Sequence, residues 1–164
     1  MFSKMISFLF DQNIHTFTMR KLIHGTKIHH KFAEKMKIKI GSAIPLDEEL
    51  EVIIKGRDYV TGLPRSVKVS TNEMTKAIDG ELKIMIQAIK DVLAQVPPEL
   101  ASDIIDNGIT MTGGTSQLRN LTNLIHRRTG VQAHLVEDPL FCVARGTGIA
   151  LEHLDSYKKA IISK

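Results

Sequence analysis

The last third of the sequence alternates short apolar runs with helical patterns, which few folds can accommodate. Residues 109–112 and 131–136 are the apolar runs, and a stretch with the helical spacing of leucine and isoleucine follows the first. That stretch is expected to follow the glycine-rich segment 113–116 directly and to end at Thr129–Gly130. Another helix is expected to begin at Asp138–Pro139. Two strands joined through a helix pair in parallel with a right-handed crossover, so the sequence predicts an α/β fold.

The middle of the chain carries the signals of a hairpin and a long helix. Residues 50–57 and 65–70 are β-branched runs separated by turn residues, which predicts two antiparallel strands. Ser70 stands three residues before Glu73, the spacing of a capping box at a helix start. Apolar residues then recur every three or four positions over 71–96, so one face of this helix is expected to be buried. Shorter helical patterns occupy residues 10–21, 31–40 and 98–107.

Composition excludes several classes of protein. The 164 residues include one cysteine, so neither an intramolecular disulfide nor a cysteine-rich zinc module can form, and a reducing, cytoplasmic location is expected. Tryptophan is absent, which argues against base stacking as the main activity. The net charge is +4, and the basic excess lies in the first 40 residues. Such an excess occurs in arms that contact nucleic acid or lipid, but it is more often found on helix faces exposed to solvent. The apolar residues 1–10 are too short to span a bilayer and lack a signal-peptide cleavage site.

The segment 108–121, GITMTGGTSQLRNL, places two glycines where a strand is expected to meet a helix. Glycine lets the backbone approach a ligand closely, and free amides at a helix start favour an anion or a polar ligand edge. The segment matches neither a Walker phosphate loop, which needs a lysine, nor the dinucleotide fingerprint GxGxxG. A tight turn would need the same glycines for steric reasons. Two interpretations, a ligand loop and a simple turn, therefore apply to Gly113, Gly114, Thr115 and Ser116.

A second candidate site lies on the helix predicted at 31–40. Glu34 and Lys37 are three residues apart, so their side chains share one helix face. There a carboxylate and an ammonium group could together hold ribose hydroxyls and the edge of a base. The same spacing fits an ordinary helical ion pair that contributes ~0.2–0.5 kcal/mol. The histidines lack the spacing of metal ligands, and we expect neither a metal site nor a hydrolytic triad.

Five ordered segments of the chain are similar to the carboxyl-terminal half of MreB, the rod-shape-determining family of bacterial actin-like proteins. They are AEKMKIKIGSAIP (33–45), GRDYVTGLP (56–64), PPELASDI (97–104), GITMTGGTSQLRNL (108–121) and EDPLFCVARGTGIALEHL (137–154). Upstream, Phe10–Ile14 and Met19–Lys21 resemble more weakly the family helix that opens with Phe-Asp-Glu-Ala-Ile. Residues 22–32 depart from the family pattern.

The resemblance implies a fold of the actin, Hsp70 and sugar-kinase type, which is ribonuclease H-like, and of which this chain would supply most of the second domain. Residues 1–70 would form a smaller outer subdomain, with a divergent start at 1–30, the helix at 31–40 and the hairpin at 50–70. Residues 71–164 would form the inner subdomain, with the long helix and a strand–helix–strand–helix unit that faces the nucleotide.

In the family, the helix with Glu-x-x-Lys and the double-glycine loop face each other across the purine and ribose of ATP, which is bound with Mg. The resemblance therefore implies nucleotide-binding roles for Glu34, Lys35, Met36, Lys37, Gly113, Gly114, Thr115 and Ser116. Thr115 departs from the family, which usually has a third glycine there, and its side chain would narrow the approach to the nucleotide. The sequence lacks an Asp-x-Gly-x-Gly-Thr-like phosphate hairpin. We therefore expect the chain alone to bind adenine nucleotide weakly and not to hydrolyse ATP.

The implied function is that of a bacterial actin that determines cell shape. The resemblance implies self-association into filaments on the cytoplasmic side of the inner membrane, with the cell-wall elongation machinery and its membrane anchor as partners and no nucleic acid. Two alternatives remain open from the residues alone. One is a small α/β transferase that uses the 113–116 loop for a nucleotide or cofactor, and the other is a nucleic-acid or membrane-surface adaptor that depends on the basic residues 1–30.

Overall fold

The computed structural model describes residues 26–27, 30–58 and 60–155, with side chains described from residue 35 onward. The helical pattern predicted at 10–21 lies outside the described residues, as do all of residues 1–25. Within the described ranges, no helix combines the length and the apolar character that a bilayer crossing requires.

Three antiparallel strands form one sheet in the order β1–β2–β3. They are β1 Thr26–Lys27, β2 Glu51–Asp58 and β3 Pro64–Ser70. The pairing of β2 with β3 confirms the predicted hairpin. Side chains alternate across the sheet, since Ile54 and Val69 are buried whereas Ile53 is 68% exposed. The sheet therefore has one apolar face, and this face packs on the core.

Asp58 organises the turn between β2 and β3. Its carboxylate accepts the backbone amides of Val60 and Thr61, each at 2.9 Å, and pairs with the Arg65 guanidinium at 3.0 Å. These donors, led by the Thr61 amide, lower the pKa of Asp58 from 3.8 to about 2. The turn is thus held by an ionised carboxylate.

Helix α1 spans His30–Ile40, which confirms the helix predicted at 31–40, and helix α2 spans Thr71–Ala94. The predicted capping box opens α2. The Ser70 hydroxyl accepts the Glu73 amide at 3.3 Å, and the Glu73 carboxylate accepts the Ser70 amide at 2.9 Å. The face of α2 that is buried consists of Thr71, Met74, Thr75, Ala77, Ile78, Leu82, Met85 and Ile86. The pattern predicted burial over 71–96, yet Val92 is 59% exposed, so the buried face ends earlier than expected.

The second half of the chain contains a pair of parallel strands, as predicted. Its elements are α3 Pro98–Asn107, β4 Ile109–Met111, α4 Leu121–Thr129, β5 Ala133–Leu135 and α5 Cys142–Glu152. Each β4 residue pairs with a β5 residue, from Ile109 with Ala133 to Met111 with Leu135. The strand–helix–strand–helix order predicted from the sequence is therefore present.

The starts of the last two helices differ from the prediction. Gly114–Gln117 forms a single 3₁₀ turn, and α4 begins only at Leu121. The expectation that a helix follows the glycine segment directly is therefore wrong. The last helix begins at Cys142 and not at Asp138–Pro139. Asp138 has a φ of 49°, and its carbonyl accepts the Phe141 amide at 2.9 Å, so residues 138–141 form a turn before the helix.

One hydrophobic cluster connects the antiparallel sheet to the α2 and α4 helices. It contains Met36, Ile40, Ile54, Val69, Met74, Ile78, Leu82, Leu121, Leu124 and Ile125, among others. The cluster has members on both sides of position 70, where we predict the boundary between two subdomains. In contrast, α3 and α5 contain no buried residue within the described part of the chain.

Candidate functional site

Helix α1 carries the first group of predicted site residues. Met36 is 4% exposed and belongs to the hydrophobic cluster, whereas Lys35 is exposed and Lys37 is half-buried. Glu34 lies on the same helix, and its side chain is outside the described set. Met36 therefore anchors α1 to the core, and the lysines on either side of it reach the surface.

The double-glycine loop carries the second group. Gly113 has a φ of 88°, a backbone conformation that favours glycine, and its amide donates to the Pro139 carbonyl at 2.8 Å. A Cβ on Gly113 would have no neighbour within 4 Å among the described atoms, so the space beside this residue is open. A Cβ on Gly114 would lie 3.2 Å from the Leu140 side chain. The conformation and the open space together permit close approach of a ligand to Gly113.

The amides of this loop do not belong to the start of an α-helix. Ser116 donates its hydroxyl to the Gly113 carbonyl at 2.5 Å and its amide to the same carbonyl at 3.3 Å, which closes the 3₁₀ turn. The helix-dipole argument made for residues 113–116 therefore loses its basis, because α4 starts at Leu121. What the loop offers instead is a compact turn with an exposed Gly114 and a half-buried Thr115.

The side-chain hydroxyl of Thr115 has an unusual environment. In the described part of the chain, this oxygen is buried and lacks a hydrogen-bond partner. Buried polar atoms in folded proteins are nearly always paired, so an unpaired hydroxyl needs an explanation such as a water or a ligand. The Thr115 hydroxyl is therefore an unpaired polar group beneath the surface of the loop.

A hydrogen-bonded junction joins the end of α1 to the chain that follows the glycine loop. The Ala43 amide donates to the Arg119 carbonyl at 2.8 Å, and Ser42 forms a parallel bridge with Arg119. The Asn120 side-chain amide donates to the Ser42 hydroxyl at 3.3 Å. Two segments that lie 78 residues apart in the chain are therefore in direct contact. Helix α1 ends just before this junction in the sequence, and the 113–116 loop precedes its other half.

Helix α2 packs against the junction through Thr75. Thr75 is buried, and its hydroxyl oxygen lies 2.9 Å from the Ser42 carbonyl oxygen and 3.0 Å from the Thr71 carbonyl oxygen, so its one proton is shared between them. Ser42 is fully buried, and its hydroxyl donates to the Ile44 carbonyl at 2.6 Å. Gly41 is required here, because a Cβ at this position would collide with the Lys37 carbonyl and would lie 3.1 Å from Leu118.

Sequence reasoning missed the residues of this junction. Only Asn120 had a readable signal, since asparagine directly before an apolar run is typical of a helix start. The structure places it there, in the left-handed region with a φ of 61°, but its side chain binds Ser42 and not the helix amides. Ser42 and Thr75 gave no signal, because nothing in a local pattern shows which distant carbonyl a hydroxyl will meet.

A cavity of about 420 Å³ lies beside this junction, between the Ala43–Pro45 segment, α2 and α4. None of the residues predicted to bind nucleotide lines it. The described side chains also contain no group of three or more His, Cys, Asp or Glu residues able to hold a metal ion. The described residues therefore offer no carboxylate cluster for Mg.

The comparisons with known proteins agree on one family. The family profile described as MreB/Mbl protein matches residues 8–159. The cell shape-determining protein MreB of Escherichia coli is 41% identical over 155 residues, which cover 94% of this chain and 44% of that protein. The cell shape-determining protein Mbl of Bacillus subtilis is 37% identical over 160 residues, which cover 98% of this chain and 47% of that protein. The chain spans less than half the length of these curated relatives.

Solved structures show the same fold. The crystal structure of MreB5 of Spiroplasma citri bound to ADP matches with a TM-score of 0.80 and 32% identity, over 94% of this chain and 46% of that one. A double helical filament of MamK matches with a TM-score of 0.61 and 20% identity, over 80% of this chain and 40% of the other. The expected actin-like α/β fold is therefore confirmed. None of these relatives is named as a transferase, so that alternative gains no support.

Proposed function

This chain belongs to the MreB/Mbl family, and we propose that it acts in determining cell shape by carrying the adenosine side of an actin-like ATP site. The curated relatives named above are cell shape-determining proteins, and the Spiroplasma relative was crystallised with ADP. Because the chain matches less than half of those proteins, the activity of the whole protein is part of the proposal. The junction between Ala43 and Arg119 is the observation that carries it.

The proposed adenosine contacts come from both sides of the junction. Glu34 and Lys37 on α1 would hold the ribose hydroxyls and the base edge, with Lys35 beside them and Met36 as their buried support. Gly113 and Gly114 would allow the nucleotide to approach the backbone, with Thr115 next to them in the loop. Ser116 fixes the turn. Bound ATP with Mg would supply the phosphates and their counter-charge.

Assembly and location are further parts of the proposal. Self-association into filaments would place many copies along the inner membrane on its cytoplasmic side, where the cell-wall elongation machinery and its membrane anchor would be the partners. The apolar residues left exposed on α3 and α5 offer surface for protein contacts, Ile105 and Val143 being 69% and 73% exposed. Large exposed apolar patches commonly mark such contacts.

A titration of the ¹⁵N-labelled chain with ADP tests the site directly. We expect dissociation in the millimolar range and chemical-shift changes at residues 34–37 and 113–116. Substitution of Gly114 by Val should weaken this binding further, because a Cβ there already meets Leu140 at 3.2 Å and a branched side chain would enter the ligand space.

The matched control is Gly80→Val, since a Cβ on this glycine of α2 meets no described atom within 4 Å. It should leave ADP binding unchanged. Shift changes confined to the cavity between α2 and α4 would refute the assignment of residues 34–37 and 113–116. So would ADP binding that is identical in Gly114→Val and in the unaltered chain.

A further inference from the structure

The cavity between α2 and α4 is bordered by an unusual arrangement of lysines. Lys76, Lys83 and Lys90 all line it, each seven residues after the last. Seven residues are close to two helical turns, so the three ammonium groups lie in one row along α2. The row extends over ~21 Å of helix, at 1.5 Å per residue. We call this cavity, with its lysine row, the lysine groove.

The floor of the lysine groove is apolar. Leu82 and Ile86 of α2 and Leu124 of α4 line it, together with Ile44 and Pro45 from the segment after α1. Leu82, Ile86 and Leu124 are each less than 10% exposed, so they form a firm base that belongs to the core. A groove with an apolar floor and charged edges is the form that receives an amphipathic helix.

The charges along the groove are mostly of one sign. Arg128 of α4 stands with the three lysines, and Asp79 is the acidic residue that also lines the groove. Asp79 is already engaged, since its carboxylate pairs with Lys83 at 2.6 Å. At one end, a hydrogen bond from Ser70 and, to a smaller extent, the charge of Lys76 lower the pKa of Glu49. For Lys90 and Arg128, no acidic partner occurs among residues 35–58 and 60–155.

We propose that the lysine groove binds an acidic amphipathic helix of a partner protein. The apolar residues of that helix would pack on Leu82, Ile86 and Leu124. Its Asp or Glu side chains would pair with Lys76, Lys90 and Arg128, since Lys83 is already paired with Asp79. A small anion would engage only one or two of the cations in a row of this length. This inference does not depend on the proposed ATP site, because the groove and the glycine loop share no residue.

Charge argues against two other occupants. Residues 1–30 of this chain contain four Lys or Arg and one Asp, so their net charge is positive and the groove would repel them. A second copy carries a net charge of +4 and the same lysine row. An anionic lipid surface would attract the lysines, but a flat surface would not reach an apolar floor that lies between two helices. Each of these occupants gives a different experimental result.

The direct test uses a labelled synthetic helix of about 21 residues with Leu at its a and d positions and Glu at its e and g positions. Fluorescence anisotropy with the full chain should show saturable binding that weakens as salt is added. A control peptide with Lys in place of Glu should not bind. Saturable binding of both peptides alike would overturn the proposal.

Paired variants separate the groove from general charge. Lys90→Glu with Arg128→Glu should weaken binding about tenfold or more, because close charge pairs across an interface become repulsive. Lys55→Glu with Arg127→Glu makes the same change in net charge at exposed positions that do not line the groove, and it should weaken binding less than about twofold at moderate salt. Equal losses in the two double variants would contradict a specific groove.

Folding and the other occupants are checked in the same samples. If circular dichroism shows that the Glu double variant is unfolded, Lys90→Gln with Arg128→Gln replaces it, with the same expected ranking. Loss of binding to phosphatidylserine vesicles in the groove variant, with peptide binding unchanged, would overturn the proposal in favour of a lipid surface. A lower sedimentation coefficient for the groove variant than for the unaltered chain, both measured without peptide, would overturn the proposal in favour of a second copy.

Discussion

Helices α2 and α5 are both amphipathic in sequence, yet they differ completely in what they bury. On α2, residues such as Met74 and Ile78 are fully inaccessible to solvent. On α5, Val143 is 73% exposed and Leu151 is 67% exposed. An apolar stripe shows that a helix has a face to bury, but the partner that covers this face must come from elsewhere in the fold or from another molecule. Among the described residues, α2 has its partner and α5 does not.

The relatives make this difference understandable. They are about twice as long as the matched region, so their folds contain many residues that have no counterpart in it. A pair of parallel strands is also far below the size at which parallel sheets are found, since both faces of such sheets are normally covered by helices. The region of α3, β4, β5 and α5 thus has the form of one side of a larger sheet.

The largest expected effect comes from removing core volume on α2. Ile78→Ala should lower the free energy of unfolding by about 2–5 kcal/mol, because Ile78 is fully buried in the cluster. Ile149→Ala on α5, where the side chain is 50% exposed, should change it by less than about 0.5 kcal/mol. Urea denaturation of both variants measures the contrast. A cost for Ile149→Ala as large as for Ile78→Ala would show that α5 is covered after all.

The next prediction compares a buried hydrogen bond at the junction with an exposed one on α5. Thr75→Val should cost about 1–3 kcal/mol, because it leaves the buried Ser42 carbonyl without this donor. Thr147 on α5 donates in the same way to a carbonyl in its own helix, Val143 at 2.8 Å, but it is exposed. Thr147→Val should therefore change stability by less than about 0.5 kcal/mol. Equal thermal stability of the two variants would show that the Thr75 hydrogen bond at the junction does not stabilise the fold.

A smaller effect is expected at the start of α2. Ser70→Ala removes the capping hydroxyl and should cost about 1 kcal/mol, measured by urea denaturation. The comparison is Ser102→Ala on α3, where the serine is exposed and lies inside the helix. Alanine has the higher helix propensity there, so that variant should be neutral or slightly more stable. A destabilised Ser102→Ala would mean that α3 depends on contacts its sequence does not reveal.

The smallest effect concerns pH and the hairpin turn. Because the pKa of Asp58 falls from 3.8 to about 2 on folding, its stabilisation is complete above pH 3.8 and disappears as the pH falls through about 2. The amide shift of Thr61, followed by NMR, should titrate with a midpoint near 2. Asp58→Asn should abolish this titration, whereas Asp103→Asn on α3 should leave it in place. A midpoint near 3.8 would show that the turn is not formed around the carboxylate.

Local sequence signals were sufficient to predict most of the helices and strands. The β-branched runs of the hairpin, the Ser70–Glu73 capping box and the apolar spacing on α2 depend on neighbours within a few residues, and each predicted element is present. The same is true of the strands β4 and β5. The resemblance to MreB added the prediction of an actin-like fold, which the comparisons confirm.

The errors occur where distant segments compete with helix formation. Residues 118–120 were expected to be helical, but Arg119 accepts the Ala43 amide and Asn120 turns into the left-handed region to reach Ser42. Pro139 was expected to open a helix, yet its carbonyl accepts the Gly113 amide. Each of these contacts links parts of the chain that no local pattern connects. The nucleotide site remains a prediction for the same reason, since it depends on how two such parts meet.

The bridge between Ser42 and Arg119 also limits how this chain can vary in length during evolution. One residue inserted into 41–45 or into 117–120 would shift Ala43 or Arg119 out of hydrogen-bonding position, and the buried Ser42 would be displaced with it. Deletions and insertions among the relatives should therefore be rare on either side of the bridge.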